Sequence, residues 1–232
     1  MTHGLRSGRR PIAAAAAVLF ITGALLLVAL GGARQVGATA HHDHAVTATA
    51  TATAKARALH DGMRRLWEDH IVWTRMAIVS FAAGLPDFDD TAARLLRTQS
   101  DIGNAIKPFY GRRAGDRLTA LLKEHITGAV ALLQAAKAGD AARLEAARAA
   151  WYANGDQIAA FLSRANPRSW PRATMRSMMR EHLDDTIVEA VARLEGRYGD
   201  DIRAYDRIHR HILMMADALS AGIVKQFPRR FR

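Results

Sequence analysis

The 232-residue chain contains no cysteine. Disulfides, thiolate metal sites, cysteine nucleophiles and redox thiols are therefore excluded, and the fold has to hold by packing alone. Aromatic residues are sparse, at 6%, and no segment shows the period-two alternation of a strand. No βαβ pattern and no glycine-rich phosphate loop occurs, which removes the common nucleotide-binding folds. Gly-x-Ser-x-Gly is also missing, so there is no nucleophile elbow of the α/β-hydrolase type. Basic residues are not interleaved with aromatics as in RNA or DNA binders, and nucleic acid is not an expected partner.

Acidic residues are absent from the first 40 positions, where Arg6, Arg9, Arg10 and Arg34 stand. Ile12–Gly32 is a 21-residue run without charge. A basic segment before such a run reads as an export signal, with Ala38-Thr39-Ala40 as a small-x-small cleavage site. The run is also long enough to be a retained membrane anchor. Both readings put the remainder outside the cytoplasm, either secreted or anchored to the cell membrane by residues 12–32. Residues 1–40 are thus read as leader or anchor and residues 41–57 as a linker. The linker opens with His41-His42-Asp43-His44 and continues as an Ala/Thr alternation without large apolar side chains. Cleavage after Ala40 would leave the His41 amine and ring free to bind Cu(II) or Ni(II).

The net charge is +11. Setting aside the four arginines of the first 40 positions leaves 29 bases against 22 acids, three of the bases in the tail Arg229-Arg230-Phe231-Arg232. A spread excess of arginine marks a solvated surface with some attraction to anionic lipid or wall polymer.

From Leu59 the pattern becomes helical. Leu59, Met63, Leu66, His70, Trp73, Ala77 and Phe81 follow steps of three and four, the period of a helix face in a bundle. Similar stripes run through Leu95–Phe109, Leu118–Ala136, Leu144–Leu162, Met175–Glu189 and Ile202–Ile223. Gly84-Leu85-Pro86, Pro108 with Gly111, Gly139-Asp140, Asn166-Pro167 and Gly196 separate them. Asp140 is expected to N-cap the fourth helix. The expected fold is all-α: an antiparallel up-down bundle of about six helices, built from three helical hairpins over residues 58–228.

Three similar strings mark the hairpins: Trp67-Glu68-Asp69-His70-Ile71, Leu122-Lys123-Glu124-His125-Ile126 and Met179-Arg180-Glu181-His182-Leu183. His70 precedes Asp101 by 31 residues, and His125 precedes Asp156 by the same number. Reflected across a hairpin turn, each histidine is expected to face its aspartate. In the third hairpin, position 213 is a leucine, and Asp206, His209 and Asp217 lie nearby. Four histidines in apolar stripes must each find a partner, because an unpaired buried polar group costs about 1–3 kcal/mol.

His70, His125, His182 and His209 with Asp101, Asp156 and Asp206 are therefore the candidate ligands of a transition metal. Inward imidazole and carboxylate groups are how bundle metal sites are built, and they suit Zn, Fe, Mn, Ni or Cu. Glu-x-x-His pairs of the ferritin-like type and close His-x-x-x-His spacing are missing. The expectation is an extracytoplasmic bundle binding a metal ion or small molecule at this centre. Two alternatives stand beside it: a non-enzymatic envelope module, structural or ligand-sensing, with the cluster as a hydrogen-bond network, and a metal-dependent oxidase or hydrolase. Arg75, Asn104, Lys107 and Asn154 lie close enough to the polar stripe to line a small pocket. Trp67, Trp73, Trp151, Trp170 and Tyr110 read as core or cap aromatics, and Met178-Met179 and Met214-Met215 as packing.

Several strings resemble a family of uncharacterised bacterial helical proteins, exported or membrane-anchored. They are Leu66-Trp67-Glu68-Asp69-His70-Ile71-Val72-Trp73-Thr74-Arg75, Asp101-Ile102-Gly103-Asn104-Ala105, Trp151-Tyr152-Ala153-Asn154-Gly155-Asp156 and Tyr205-Asp206-Arg207-Ile208-His209. The resemblance covers about Leu59–Phe227. It implies a helical bundle and brings no catalytic residue with it.

Overall fold

Each apolar stripe becomes one helix, and three glycines fold the six helices into three like hairpins. The structure, a computed structural model, describes the backbone from Thr39 and side chains from Thr53 to Arg232. The helices are α1 (Thr39–Ala83), α2 (Phe88–Tyr110), α3 (Arg112–Ala138), α4 (Ala141–Ala165), α5 (Arg172–Leu194) and α6 (Tyr198–Gln226). A single 3-10 turn, Pro228–Phe231, follows. No strand occurs among the described residues, so the all-α bundle is as expected.

The hairpin turns share one construction. Gly84, Gly139 and Gly196 have φ of 66°, 66° and 72°, the left-handed region that glycine enters at least cost. In each, the glycine N–H reaches back three residues and the next N–H reaches back five: Gly84 to Phe81 and Leu85 to Ser80, Gly139 to Ala136 and Asp140 to Ala135, Gly196 to Arg193 and Arg197 to Ala192. This is the double closure of a Schellman motif, and it satisfies the last carbonyls of α1, α3 and α5. Asp140 caps α4 as expected, accepting from the Arg143 N–H at 2.9 Å.

The Ala/Thr stretch read as a linker lies inside α1, which begins at Thr39. A lack of large side chains denies that stretch a core, but alanine is the best helix former and no glycine or proline interrupts positions 39–61. The basic tail packs back on the bundle. Phe231 is buried, stacked on Phe109 with ring centres 5.8 Å apart. The expected leader lies outside the described residues, as do the side chains of His41–His44. Among the described residues no helix is long and apolar enough to cross a membrane.

The main core joins all six helices. Met63, Ile71, Ile102, Leu121, Ile158, Leu183, Ile212 and Ile223 are each at most 2% exposed. Fully burying one such side chain stabilises by about 1.5–3 kcal/mol. A smaller cluster, Ile78, Leu133 and Ala190, takes one residue each from α1, α3 and α5. These first helices of the three hairpins therefore face one another. Helices α2 and α3 approach most closely at two glycines. A β-carbon on Gly103 would sit 2.7 Å from the Gly115 carbonyl oxygen, and one on Gly115 would sit 2.5 Å from that of Gly103.

Candidate functional site

The polar centre is a layer of six side chains, one from each helix. His70 on α1 pairs with Gln99 on α2, His125 on α3 with Asn154 on α4, and His182 on α5 lies opposite His211 on α6. Both hydrogen-bonded pairs are 29 residues apart in sequence, and 211 is likewise 29 beyond 182. The midpoint of every pair falls between the left-handed glycine and the residue after it. Identical turns thus put equivalent positions of three hairpins at one level. All six residues are buried, Asn154 the least so at 9% exposed and Gln99 at 0%.

Amide geometry sets the imidazole protons in two hairpins. Asn154 Nδ2 donates to the Leu121 carbonyl at 3.1 Å, so its Oδ1 faces His125 Nδ1 at 3.1 Å, and that nitrogen carries the hydrogen. Gln99 Nε2 donates to the Leu95 carbonyl at 2.9 Å and to His70 Nδ1 at 3.0 Å, so His70 is protonated on Nε2. In the third hairpin His211 Nε2 donates to the Met178 carbonyl at 2.9 Å. Met178 and Leu121 occupy the same place, four residues before the histidine. His211 Nδ1 lies 3.3 Å from Glu181 Oε1 but outside hydrogen-bond geometry, and His182 Nδ1 has no hydrogen-bond partner among the described residues. The carbonyl of each first-helix histidine also receives a side-chain donor: Thr74 at 2.8 Å, Trp151 Nε1 at 2.9 Å and Thr186 at 2.7 Å.

His182 is the hub. Its ring centre is 6.0 Å from those of both His70 and His125. Burial pushes all three imidazoles below their ordinary value of 6.5: His70 to about 3, with repulsion from His125 adding to it, and His125 to about 4. His182 falls well below 6.5, through burial first and then through the three other histidines of the layer. The hydrogen bond that Asn154 Oδ1 accepts from His125 opposes the shift of that ring without cancelling it. His70, His125 and His182 are therefore neutral at ordinary pH.

The metal reading does not survive this geometry. Among the described residues no three His, Asp or Glu side chains are arranged to hold a metal ion. Amides stand where carboxylates were expected. Asp101 is exposed, two residues beyond Gln99 and so on the far side of α2. Asp156 points outward into a pair with Arg176 at 2.9 Å and Arg180 at 3.1 Å. Asp206 is exposed, and His209 meets Glu68 on the surface at 2.9 Å. His70, His125 and His182 do converge. The histidine of α6 that joins them is His211, which the sequence reading passed over in favour of His209.

Of the residues expected to line a pocket, Asn154 belongs to the layer, Asn104 is exposed and Lys107 pairs with Asp116 at 2.7 Å. Arg75 is placed in a second polar group, toward the α5–α6 turn. Its guanidinium grips Asp201 with both nitrogens and reaches Glu189 Oε1 at 2.8 Å, and Arg193 approaches Asp201 from the other side at 3.4 Å. Asp201 is wholly buried and Glu189 nearly so. Burial raises Glu189 to about 7 against the pull of Arg75. Asp201 carried no signal in the sequence beyond its position in the first turn of α6.

Next to the layer lies an apolar cavity of about 40 Å³, lined among others by Ile78, Phe88, Leu95, Ile126, Leu133 and Ala190. No histidine lines it. Comparisons with protein-family models, with curated proteins and with solved structures find no match.

Proposed function

We propose that this chain is a non-enzymatic module of the cell envelope, in which the imidazole–amide layer is a hydrogen-bond network that dictates how three hairpins assemble. The observation that carries the reading is the repeat itself. One polar side chain per helix sits at one depth, and in each hairpin the second-helix residue is tied by a hydrogen bond to the first helix or to its histidine. An apolar layer would pack six helices as well, but it would accept other registers and pairings of like hairpins. A polar layer leaves a buried group unpaired in every wrong arrangement, which is the best-attested use of such groups. The leader expected at residues 1–40 supplies the envelope location.

The double variant His125→Leu/Asn154→Leu tests the network. Removing both partners together leaves nothing unsatisfied, so the midpoint of thermal unfolding should hold or rise. Uniqueness should be lost instead, read as broadened amide resonances and faster hydrogen exchange across α3 and α4. Sharp spectra and native exchange in the double variant would refute the assembly role. Protease shaving of intact cells tests the location: protection of the bundle domain would refute it.

A further inference from the structure

The three hairpins are alike around the layer, and one of them departs from the others beside it. Equivalent positions are matched by counting from the layer residues. Three residues after each first-helix histidine stand Trp73, Gly128 and Asp185. Four residues before each second-helix partner stand Leu95, Ala150 and Arg207. In the first hairpin Trp73 packs beside Leu95, and the Arg94 guanidinium lies over its ring, 5.0 Å from the centre. In the third, Arg207 Nε donates to Asp185 Oδ1 at 2.9 Å, from one helix to the other. The second hairpin has neither indole nor ion pair at these positions. A β-carbon added to Gly128 would already meet Trp151 Cδ1 at 3.1 Å.

The result is an open groove of about 390 Å³ between α3 and α4, a volume typical of small-ligand sites. Gly128 and Ala150 both line it. Trp151 and Asn154, buried side chains that hold His125 from two directions, form its floor. Glu124, Thr127 and Gln157 are exposed at its rim. Among the described lining residues Glu124 is the one with a charge, and it is negative in a chain of net charge +11. Its carboxylate meets Arg117 only at 4.0 Å, and accepts no hydrogen bond among the described residues. The Thr127 hydroxyl gives its hydrogen to the carbonyls of Lys123 and Glu124, at 3.2 and 3.1 Å, so its lone pairs are left for a donor. The groove thus offers acceptors and one negative charge, where both sister hairpins carry a guanidinium of their own. We propose that the α3–α4 groove binds a small organic cation of the guanidinium class from solution. Glu124, Thr127 and Gln157 take its N–H donors, and Trp151 and Asn154 close the site from below.

Butylguanidinium titrated into the full, isotope-labelled chain tests this, with butylurea as the uncharged counterpart. The expected result is saturable shifts of the Asn154 side-chain amide and the Trp151 indole N–H that butylurea does not produce. Glu124→Gln changes an exposed side chain and should weaken binding about fivefold, the upper range for one exposed ion pair. Gly128→Asp/Ala150→Arg copies the pair of the third hairpin into the groove and should abolish binding while the rest of the spectrum stays native. If that double variant does not fold, the Glu124→Gln comparison decides alone. No saturable shift, an equal response to butylurea, unchanged affinity in Glu124→Gln, or binding kept by a folded double variant would each overturn the site. Binding of a tripeptide with arginine at its centre, without any response to butylguanidinium, overturns the small ligand in favour of an arginine on a protein partner.

Discussion

Lowering the pH from 7.5 to 5.0 should destabilise the bundle by several kcal/mol through the imidazole layer. In the unfolded chain each histidine titrates near 6.5. In the fold, burial brings His70 to about 3 and His125 to about 4, and holds His182 well below 6.5. The unfolded state therefore binds more protons than the native state below pH 6.5. Stability that is full above 6.5 is lost as pH falls through the window toward the folded values. At pH 5.0 the loss is about 2 kcal/mol each for His70 and His125, so about 4 kcal/mol for the two, and His182 adds to it in the same direction. Glu189 acts in the opposite sense. Its folded value of about 7 exceeds its ordinary 4.5, so the native state gains a proton first and recovers about 2.4 kcal/mol over the same interval. The carboxylates Asp116, Asp156 and Asp200 are held below 3.8 by their arginine and lysine partners and act only under pH 5. Before the His182 share is added the net loss is about 1.6 kcal/mol, a sizeable fraction of a domain's usual 5–15 kcal/mol. Urea unfolding followed by circular dichroism at fixed ionic strength, from pH 7.5 to 5.0, measures it directly. The variant His70→Leu should remove about 2 kcal/mol of the pH-dependent part, whatever it does to stability at pH 7.5. An unfolding free energy that does not change across this range would refute the reasoning. So would imidazole carbon-bound protons of the native state titrating near 6.5.

Other perturbations separate the remaining claims. Treatment with a strong chelator should leave the unfolding midpoint unchanged, since no described residues form a metal-holding group; a drop of several degrees by calorimetry would contradict this. Glu189→Gln should steepen the pH dependence by about 2.4 kcal/mol between pH 7.5 and 5.0, because the one compensating group is gone; urea unfolding would show it. Arg75→Leu strands Asp201 and Glu189, with only Arg193 left nearby at 3.4 Å, and should cost about 3 kcal/mol at pH 7.5, less at pH 5 once Glu189 is protonated. Gly103→Ala puts a methyl against Thr119 Oγ1 and 2.7 Å from the Gly115 carbonyl oxygen, and should cost about 1–3 kcal/mol in the same assay, since backbone as well as the Thr119 side chain must move.

The two polar groups divide the bundle's needs. The imidazole layer is shared by six helices, so it discriminates among arrangements, and its three first-helix imidazoles add no charge to the core. The Arg75 group is charged and joins α1, α5 and α6 only. It ties the first and third hairpins across the bundle, where no chain connection does so. Two acids and two arginines balance there, which is what allows Asp201 to be wholly buried.

What the sequence showed of the fold followed from strong, redundant signals. Three- and four-residue apolar steps, glycines at the turns and an aspartate at one N-cap each pointed to the same hairpins. The site was harder because reflection across a turn doubles any error in its centre. Centring the first turn between Leu85 and Pro86 pairs His70 with Asp101, whereas the left-handed residue is Gly84, and moving the centre back by one moves the partner back by two, to Gln99. Two residues are about 200° of helix rotation, enough to exchange a buried amide for an exposed carboxylate. The second hairpin contained the correction: reflecting His125 about Gly139-Asp140 lands on Asn154. Carboxylates drew the eye because they bind metals, and amides at the same spacing were passed over. The same reflection about Gly196-Arg197 carries His182 to His211 and leaves His209 on the α6 surface. A rule can be taken from these three cases. Where like hairpins share a left-handed glycine, the cross-helix partner is found by counting from that glycine, and the chemistry is read only from the residue on which the count lands.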